Sequence, residues 1–454
     1  MSGKVVAVVG GGVTGLVAAR ELDRAGADVV LFEAAPGAGG KIATKTIEDV
    51  AVEAGPDSFL ARDPWAVDLC REIGLGNDLV EPAVFGGTVW SRGRLHALPR
   101  GLVLGIPTLP VKVLRTGLLS RRGALRALGD LFGGKPLTGR DVSIGALVRH
   151  RLGDEVLERL VDPLLAGTRA GDADEMSLAA AAPELDSIAR RHRSLVLGLR
   201  AWQPERPEAP VFKAPLGGMT RLVHALKTEL LHTDVRLSSP VTRIAVDGRR
   251  LRVESATGEV GADAVVLTAP AHATAGHVAD LEPAASKALA SIPYASVAVV
   301  ALAYPSSAGA PPPGGSGMLV PRAEGRTVAA CTWYSTKWPV SSPRDGFLLR
   351  AVVGRSGRHP ALDLDDRELV AAVHDDLAEM LGLREPPRSR LVTRWEKGLP
   401  QYLVGHLDRV TGAEVALAQR GPVFLAGAGY RGSGIPDCIR GAKEAAAAAV
   451  NALA

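Results

Sequence analysis

From Lys4 to Val9 the chain is a valine-rich apolar run that reads as a strand, and it stops at Gly10-Gly11-Gly12. Apolar positions then recur at Leu16, Ala19 and Leu22, one face of a helix, until Gly26 ends the pattern. Residues 28–33 read as a second strand, so the chain opens on a βαβ unit. Between Trp65 and Ala170 the pattern is mostly helical with Pro and Gly breaks, and 205–210 is a Pro-rich hinge. After Phe212 to Met219 a helix is expected. Strands follow at 235–237 and 241–246, then a hairpin at Gly248 and a strand at 264–268 that returns to the first sheet. Residues 292–304 and 347–353 read as long strands separated by a Pro/Gly loop at 308–316, and 365–381 reads as an amphipathic helix. Near the end, 423–426 is a buried strand and 427–434 a glycine-studded turn. Ile435-Pro436-Asp437 then opens a helix running to Ala454, with Pro near its first position and an acid in its first turn.

At about 150 residues per domain, 454 residues suggest two or three compact units. Hydrophobic residues at 46% and charged residues at 22% exclude a disordered or fibrous chain. Lys plus Arg (53) exceeds Asp plus Glu (49) by 4, spread along the chain, which gives no reason to expect nucleic acid. Cys70, Cys331 and Cys438 stand far apart with no CxxC, so neither disulfides nor a metal site is expected. The start runs straight into a strand pattern, and the expectation is a cytoplasmic protein. The longest apolar stretch, 295–303, is far shorter than the roughly 20 residues of a membrane-spanning helix, so any membrane contact would be peripheral. One basic, apolar stretch, 95–132, carries Arg100, Lys112, Arg115, Arg121, Arg122 and Arg126 among leucines. It reads either as a solvated helical face over a local core or as a surface for anionic lipid or substrate.

The glycines Gly10, Gly12 and Gly15 form a GxGxxG placed between a strand and a helix. Gly10 permits the tight turn, Gly12 lets the backbone approach a pyrophosphate at a helix N-terminus, and Gly15 lets helix and sheet pack closely. Glu33, ending the second strand, is placed to accept ribose hydroxyls. Gly39-Gly40-Lys41 shortly afterwards resembles the extended fingerprint of FAD enzymes, which favours FAD over NAD. No Ser/His/Asp or Cys/His set stands out, and His96, His224 and His406 read as structural.

The chain as a whole resembles the oxygen-dependent porphyrinogen oxidases of haem biosynthesis, the coproporphyrinogen III and protoporphyrinogen oxidase family. The residues that carry the resemblance are the fingerprint with Glu33 and Gly39-Gly40-Lys41, Gly55 to Phe59, Gly93 to Pro99, Ala170-Gly171-Asp172, Ile292 to Val297, Trp395, Leu399 to Tyr402, and Gly434 to Ile439. It implies an α/β fold of the amine oxidase/GDI type. A Rossmann-like FAD-binding domain would be built from 1–55, 208–285 and 391–454. A mixed-sheet substrate-binding domain would take 56–65, 170–207 and 286–390, and 66–169 would form an inserted, membrane-facing helical domain. It implies FAD held by Gly12 and Gly15 at the pyrophosphate, Glu33 at the ribose, Gly40 and Lys41 beyond it, and Val241 at the adenine. Gly55, Pro56, Asp57 and Ser58 would lie beside the flavin, and Trp395 with Ile435, Pro436 and Asp437 would close its ring end. A helix N-terminus there would also stabilise negative charge on a reduced ring.

The reaction implied is aromatisation of a porphyrinogen by dioxygen, a six-electron oxidation in three two-electron rounds, each releasing hydrogen peroxide. Of the two substrates, coproporphyrinogen III carries four propionates and protoporphyrinogen IX two, so the first needs more cations. Arg62, Arg169 and Arg94 are the candidates, and coproporphyrinogen III is the expected substrate. Where the family tends to have an apolar or aromatic residue this chain has Arg169, so Arg169 is expected to face an acid or an anionic substrate. Where many FAD proteins end the late strand in Gly-Asp this chain has Gly427-Ala428-Gly429, so its cofactor grip there is expected from backbone. Alternatives are protoporphyrinogen IX oxidation, a flavin amine oxidase, and a flavin-free carrier of the same fold. The resemblance leaves room for a haem-pathway partner enzyme that takes the product.

Overall fold

The computed structural model describes residues 3–99, 101–109, 113, 116–202, 211–311, 315–357 and 359–454. Arg100, Lys112, Arg115 and the hinge 205–210 fall outside them. Val5–Val9 is apolar on both faces, with Val6, Ala7 and Val8 fully buried, and such a strand needs cover above and below. It lies at the centre of a five-stranded parallel sheet ordered Asp234–Arg236, Asp28–Phe32, Val5–Val9, Ala264–Leu267, Val423–Leu425. The helices Val13–Arg24 and Ile435–Leu453 pack together on one face through Leu16, Val17, Ile439 and Ala442. The other face is covered by the antiparallel strands Val241–Asp247, Arg250–Ser255 and Gly258–Ala262 and by the helix His406–Ala418, through Val241, Val253, Val410 and Ala413.

A second, seven-stranded mixed sheet runs Ser389–Pro400, Tyr294–Tyr304, Phe347–Val353, Val328–Trp333, Gly317–Leu319, Thr88–Ser91, Arg94–Ala97. Helix Asp366–Leu381 covers one face through Leu369, Val373 and Leu377. A third core is helical, formed by Ile144, Leu147, Leu152, Leu160, Leu185, Ile188 and Leu199 among others.

Three stretches sit differently from the sequence reading. Within the segment expected to be mostly helical, Thr88–Ser91 and Arg94–Ala97 form a hairpin that completes the second sheet. Four-residue strands are too short for alternation to emerge, and the hairpin turn rests on Arg92 and Gly93, with φ of 54° and 74°. The helix Pro64–Glu72, placed by sequence with the helical part, buries Ala66, Leu69 and Cys70 in the core of the first sheet. The helices from Leu178 to Ala201, placed by sequence with the substrate sheet, pack into the helical core. Among the described residues no helix is long and apolar enough to cross a membrane.

Candidate flavin site

The turn after the first strand is built by glycines with different physical duties. Gly10 has φ of 111°, and a Cβ there would stand 2.8 Å from the Thr268 hydroxyl. A Cβ on Gly15 would run into the Gly10 carbonyl oxygen, so only glycine lets the first helix sit this close to the turn. Gly12 is the exception. As the N-cap of the helix it has φ of −71° and ψ of 179°, open to any residue, and a Cβ there would meet no protein atom within 4 Å. No protein contact therefore requires glycine here. The room over Gly12, at the positive end of a helix, suits a pyrophosphate.

The remaining candidates converge on this turn. Glu33 lies against it, its carboxylate accepting from Gly11 N–H at 2.6 Å and Ala35 N–H at 2.7 Å. The strand carrying Val241 reaches it because Ser239 N–H donates to the Glu33 carbonyl at 2.8 Å. Gly39 N–H donates to the Gly11 carbonyl at 2.8 Å, and a Cβ on Gly40 would stand 3.3 Å from Gly12 Cα. Lys41 is half-buried, pairs with no carboxylate among the described residues, and has its pKa lowered by burial. A cation so placed suits an anionic ligand. Its charge reaches Cys438 in the first turn of the last helix, whose buried thiol is pushed up to about 11. Gly55 packs against the Lys41 backbone, where a Cβ would strike the carbonyl oxygen. Trp395 joins from the edge strand of the second sheet, its indole N–H donating to the Ala54 carbonyl at 2.7 Å. At the start of the last helix Ile435 and Pro436 are buried, and the Asp437 carboxylate accepts from Gly434 N–H at 3.2 Å. Asp437 is thus engaged in closing its own helix turn.

Beneath Gly55 lies a polar core. Asp57, with its side chain only 13% exposed, pairs with Lys337 at 2.7 Å and accepts from Ser58 at 2.9 Å. The Lys337 ammonium and the nearby Arg350 hold its carboxyl down at about 2 against the burial that opposes them. Arg350 is buried in an otherwise apolar strand and donates to the carbonyls of Glu53, at 2.7 Å, and Gly55. Glu53, also buried, accepts from Met219 N–H at 2.8 Å and the Thr44 hydroxyl at 2.9 Å, and burial pushes its carboxyl up to about 7. Arg350, Lys337 and Glu53 are absent from the sequence reading, although a lone Arg inside Phe347–Val353 was a signal that something polar is held there.

The cations proposed for substrate separate. Arg62 follows Phe59–Leu60, whose strand pairs with Phe212–Pro215. Arg169 donates to the Ala181 carbonyl at 2.9 Å, and its own carbonyl accepts from the Gln401 amide at 3.0 Å. No carboxylate among the described residues pairs with Arg169, which leaves an anionic substrate as the other expected partner. Arg94 is corrected. It lies on the edge strand of the second sheet opposite the one carrying Trp395, six strand spacings or about 29 Å away along the sheet. There it is exposed and contacts His96 at 3.4 Å. Among the described residues no cluster of His, Cys, Asp or Glu could hold a metal ion.

A doubly covered parallel sheet with a glycine turn shaped for a pyrophosphate, and a second sheet meeting it at Trp395, defines a dinucleotide-binding protein. The family model for flavin-containing amine oxidoreductases matches residues 13–450, and the chain belongs to that family. Its cofactor is FAD. The chain is 36% identical to a coproporphyrinogen III oxidase of Bacillus subtilis (strain 168), covering 99% of this chain and 98% of the relative. It is 31% identical to protoporphyrinogen oxidase 1, chloroplastic, of Arabidopsis thaliana, covering 97% and 86%. A solved structure from Exiguobacterium sp. 255-15, assigned provisionally as a protoporphyrinogen oxidase, matches with a TM-score of 0.88 at 34% identity over 98% of each chain.

Proposed function

We propose that this chain is an FAD-dependent coproporphyrinogen III oxidase, converting its substrate to coproporphyrin III at the expense of dioxygen. The observation that carries the reading is the end-to-end likeness to the Bacillus subtilis coproporphyrinogen III oxidase, which covers both flavin site and second sheet. When bound, FAD supplies two-electron acceptance from a substrate carbon and passes the pair to dioxygen as hydrogen peroxide, three times per porphyrinogen. The chain itself contributes position and field. Gly12 and the first helix N-terminus hold the pyrophosphate, Glu33 takes the ribose hydroxyls, and Lys41 supplies a partly desolvated positive charge. Gly55 to Ser58, fixed from below by Arg350 and the Asp57–Lys337 pair, form a rigid wall beside the flavin. The N-terminus of the last helix favours negative charge on the ring, with Ile435 and Pro436 excluding water. Arg62 and Arg169 take substrate propionates at the mouth.

The rival substrate is protoporphyrinogen IX, favoured by the likeness to the Arabidopsis protein. Turnover of both porphyrinogens, followed by product fluorescence, decides: higher kcat/KM on coproporphyrinogen III is expected, and a preference for protoporphyrinogen IX would replace this reading by the rival.

For peripheral membrane contact the supporting feature is the helical part. Leu125, Phe132 and Leu197 are 67%, 91% and 47% exposed. Exposed Arg121, Arg122, Arg126 and Arg193 accompany them. Apolar anchors amid cations suit an anionic lipid surface. Salt-sensitive co-sedimentation with phosphatidylglycerol vesicles, lost in Phe132→Ser, is expected; no pelleting at low salt would remove the surface from the account.

A further inference from the structure

We propose that Tyr402, with His406 stacked behind it, is a positioning residue for the flavin: it fixes the glycine turn 427–434 on which the ring end of the cofactor rests. The inference rests on the flavin assignment above. The turn links the last strand to the last helix and departs from ordinary backbone at Gly427 and Gly432, with φ of 118° and 129°. Left to itself such a segment samples many conformations, because glycine loses the most freedom on ordering.

The Tyr402 hydroxyl spans the turn. It donates to the Ala428 carbonyl at 2.6 Å and accepts from Gly432 N–H at 3.0 Å, so one buried oxygen closes both limbs. Its ring is 2% exposed and stacks on His406 with centroids 4.0 Å apart. The His406 Nε2–H donates to the Tyr430 carbonyl at 2.7 Å, a third tether between the other two. Burial keeps His406 neutral, pushed down to about 4, so this donor persists across the physiological range. The Tyr402 backbone is anchored elsewhere. Its carbonyl accepts from Ser177 N–H at 2.7 Å, and its ring belongs to the helical core. A residue held by the helical part thus dictates the shape of the turn at the flavin. This is how a chain with Gly427-Ala428-Gly429, and no acid there, can pre-pay the ordering of its cofactor platform.

Tyr402→Phe keeps the ring, the stacking and the packing and removes only the hydroxyl. In the purified holoenzyme, the FAD dissociation constant is expected to rise roughly ten- to a hundredfold, since the half-buried Ala428 carbonyl and Gly432 N–H both lose their partner. On heating, flavin release, read by its fluorescence, should precede loss of far-ultraviolet circular dichroism, whereas in the wild type the two coincide. A role confined to stability would lower both transitions together and leave FAD affinity unchanged. FAD affinity within twofold of the wild type, with coincident transitions, overturns the proposal. If Tyr402→Phe does not accumulate folded, His406→Leu removes the Tyr430 tether. It should weaken FAD several-fold by the same assay, and an unchanged affinity there equally overturns the proposal. A wild-type protein that holds no FAD would instead overturn the cofactor assignment.

Discussion

Substituting Gly12 by alanine separates cofactor binding from folding. Nothing lies within 4 Å of a Cβ at this position, and φ of −71° is relaxed for alanine, so the fold should lose only the small N-cap advantage of glycine, about 0.5–1 kcal/mol. The methyl group instead occupies the approach of the pyrophosphate to the helix N-terminus. Pushing the phosphates outward weakens a charge-assisted hydrogen bond of about 1.5–3 kcal/mol and part of a helix-end interaction of about 0.3–1 kcal/mol. Together these come to about 2–4 kcal/mol, or roughly a thirty- to thousandfold weaker FAD complex at about 1.4 kcal/mol per tenfold. The assay is titration of deflavinated protein with FAD, followed by quenching of flavin fluorescence, with melting of the apo form alongside. Gly15→Ala is the contrast: its methyl group would collide with the Gly10 carbonyl, so the apo form itself should melt lower, by an overpacking cost of about 1–3 kcal/mol. FAD binding by Gly12→Ala at wild-type affinity would refute the placement of the pyrophosphate. An apo form destabilised as much as Gly15→Ala would refute the claim that the room over Gly12 is not structural.

Further outcomes follow from the polar core and the mouth. Arg350→Met should destabilise the protein by about 2–4 kcal/mol, because the Glu53 and Gly55 carbonyls lose a buried donor; a melting temperature unchanged in differential scanning calorimetry would contradict it. Asp57 is held below its ordinary value, so its pair with Lys337 stabilises the fold above about pH 4 and is lost as pH falls toward about 2. In Asp57→Asn that part of the acid unfolding curve should flatten by about 2 kcal/mol, and a curve parallel to wild type would exclude the pair as its source. Glu53 is raised to about 7, so its proton is kept on folding and stability is lost as pH rises from about 4.5 through 7. Glu53→Gln should therefore gain on the wild type between pH 5 and 8 by up to about 3 kcal/mol in urea unfolding, and a pH-independent difference would remove the protonated carboxyl from the account. Arg62→Ala and Arg169→Ala should each raise KM for coproporphyrinogen III with little change in kcat, because a remote anchor binds ground and transition states alike. Steady-state kinetics that leave KM untouched in both would reject them as propionate partners.

What the sequence determined by itself was what neighbouring residues decide. Strand, Gly10 to Gly15, helix, strand and Glu33 follow one another within the first βαβ unit, and each element is set by local pattern and turn chemistry. The last strand, turn and helix were legible for the same reason, as was the capped helix Asp366–Leu381. The tertiary structure alone decided which distant residues share a site. Asp57 meets Lys337 across 280 positions, Arg350 reaches Glu53 across 297, and Tyr402 finds Ala428 and Gly432 only because the second sheet ends beside the last turn. Long-range pairing likewise sets the surroundings of Arg94, whose short strand joins the far edge of the sheet, and of Arg169, whose guanidinium meets the Ala181 carbonyl. Local propensity fixes what each segment becomes. Which side chains then meet depends on burial and hydrogen-bond satisfaction over the whole chain, and neither is a property of any one window of sequence.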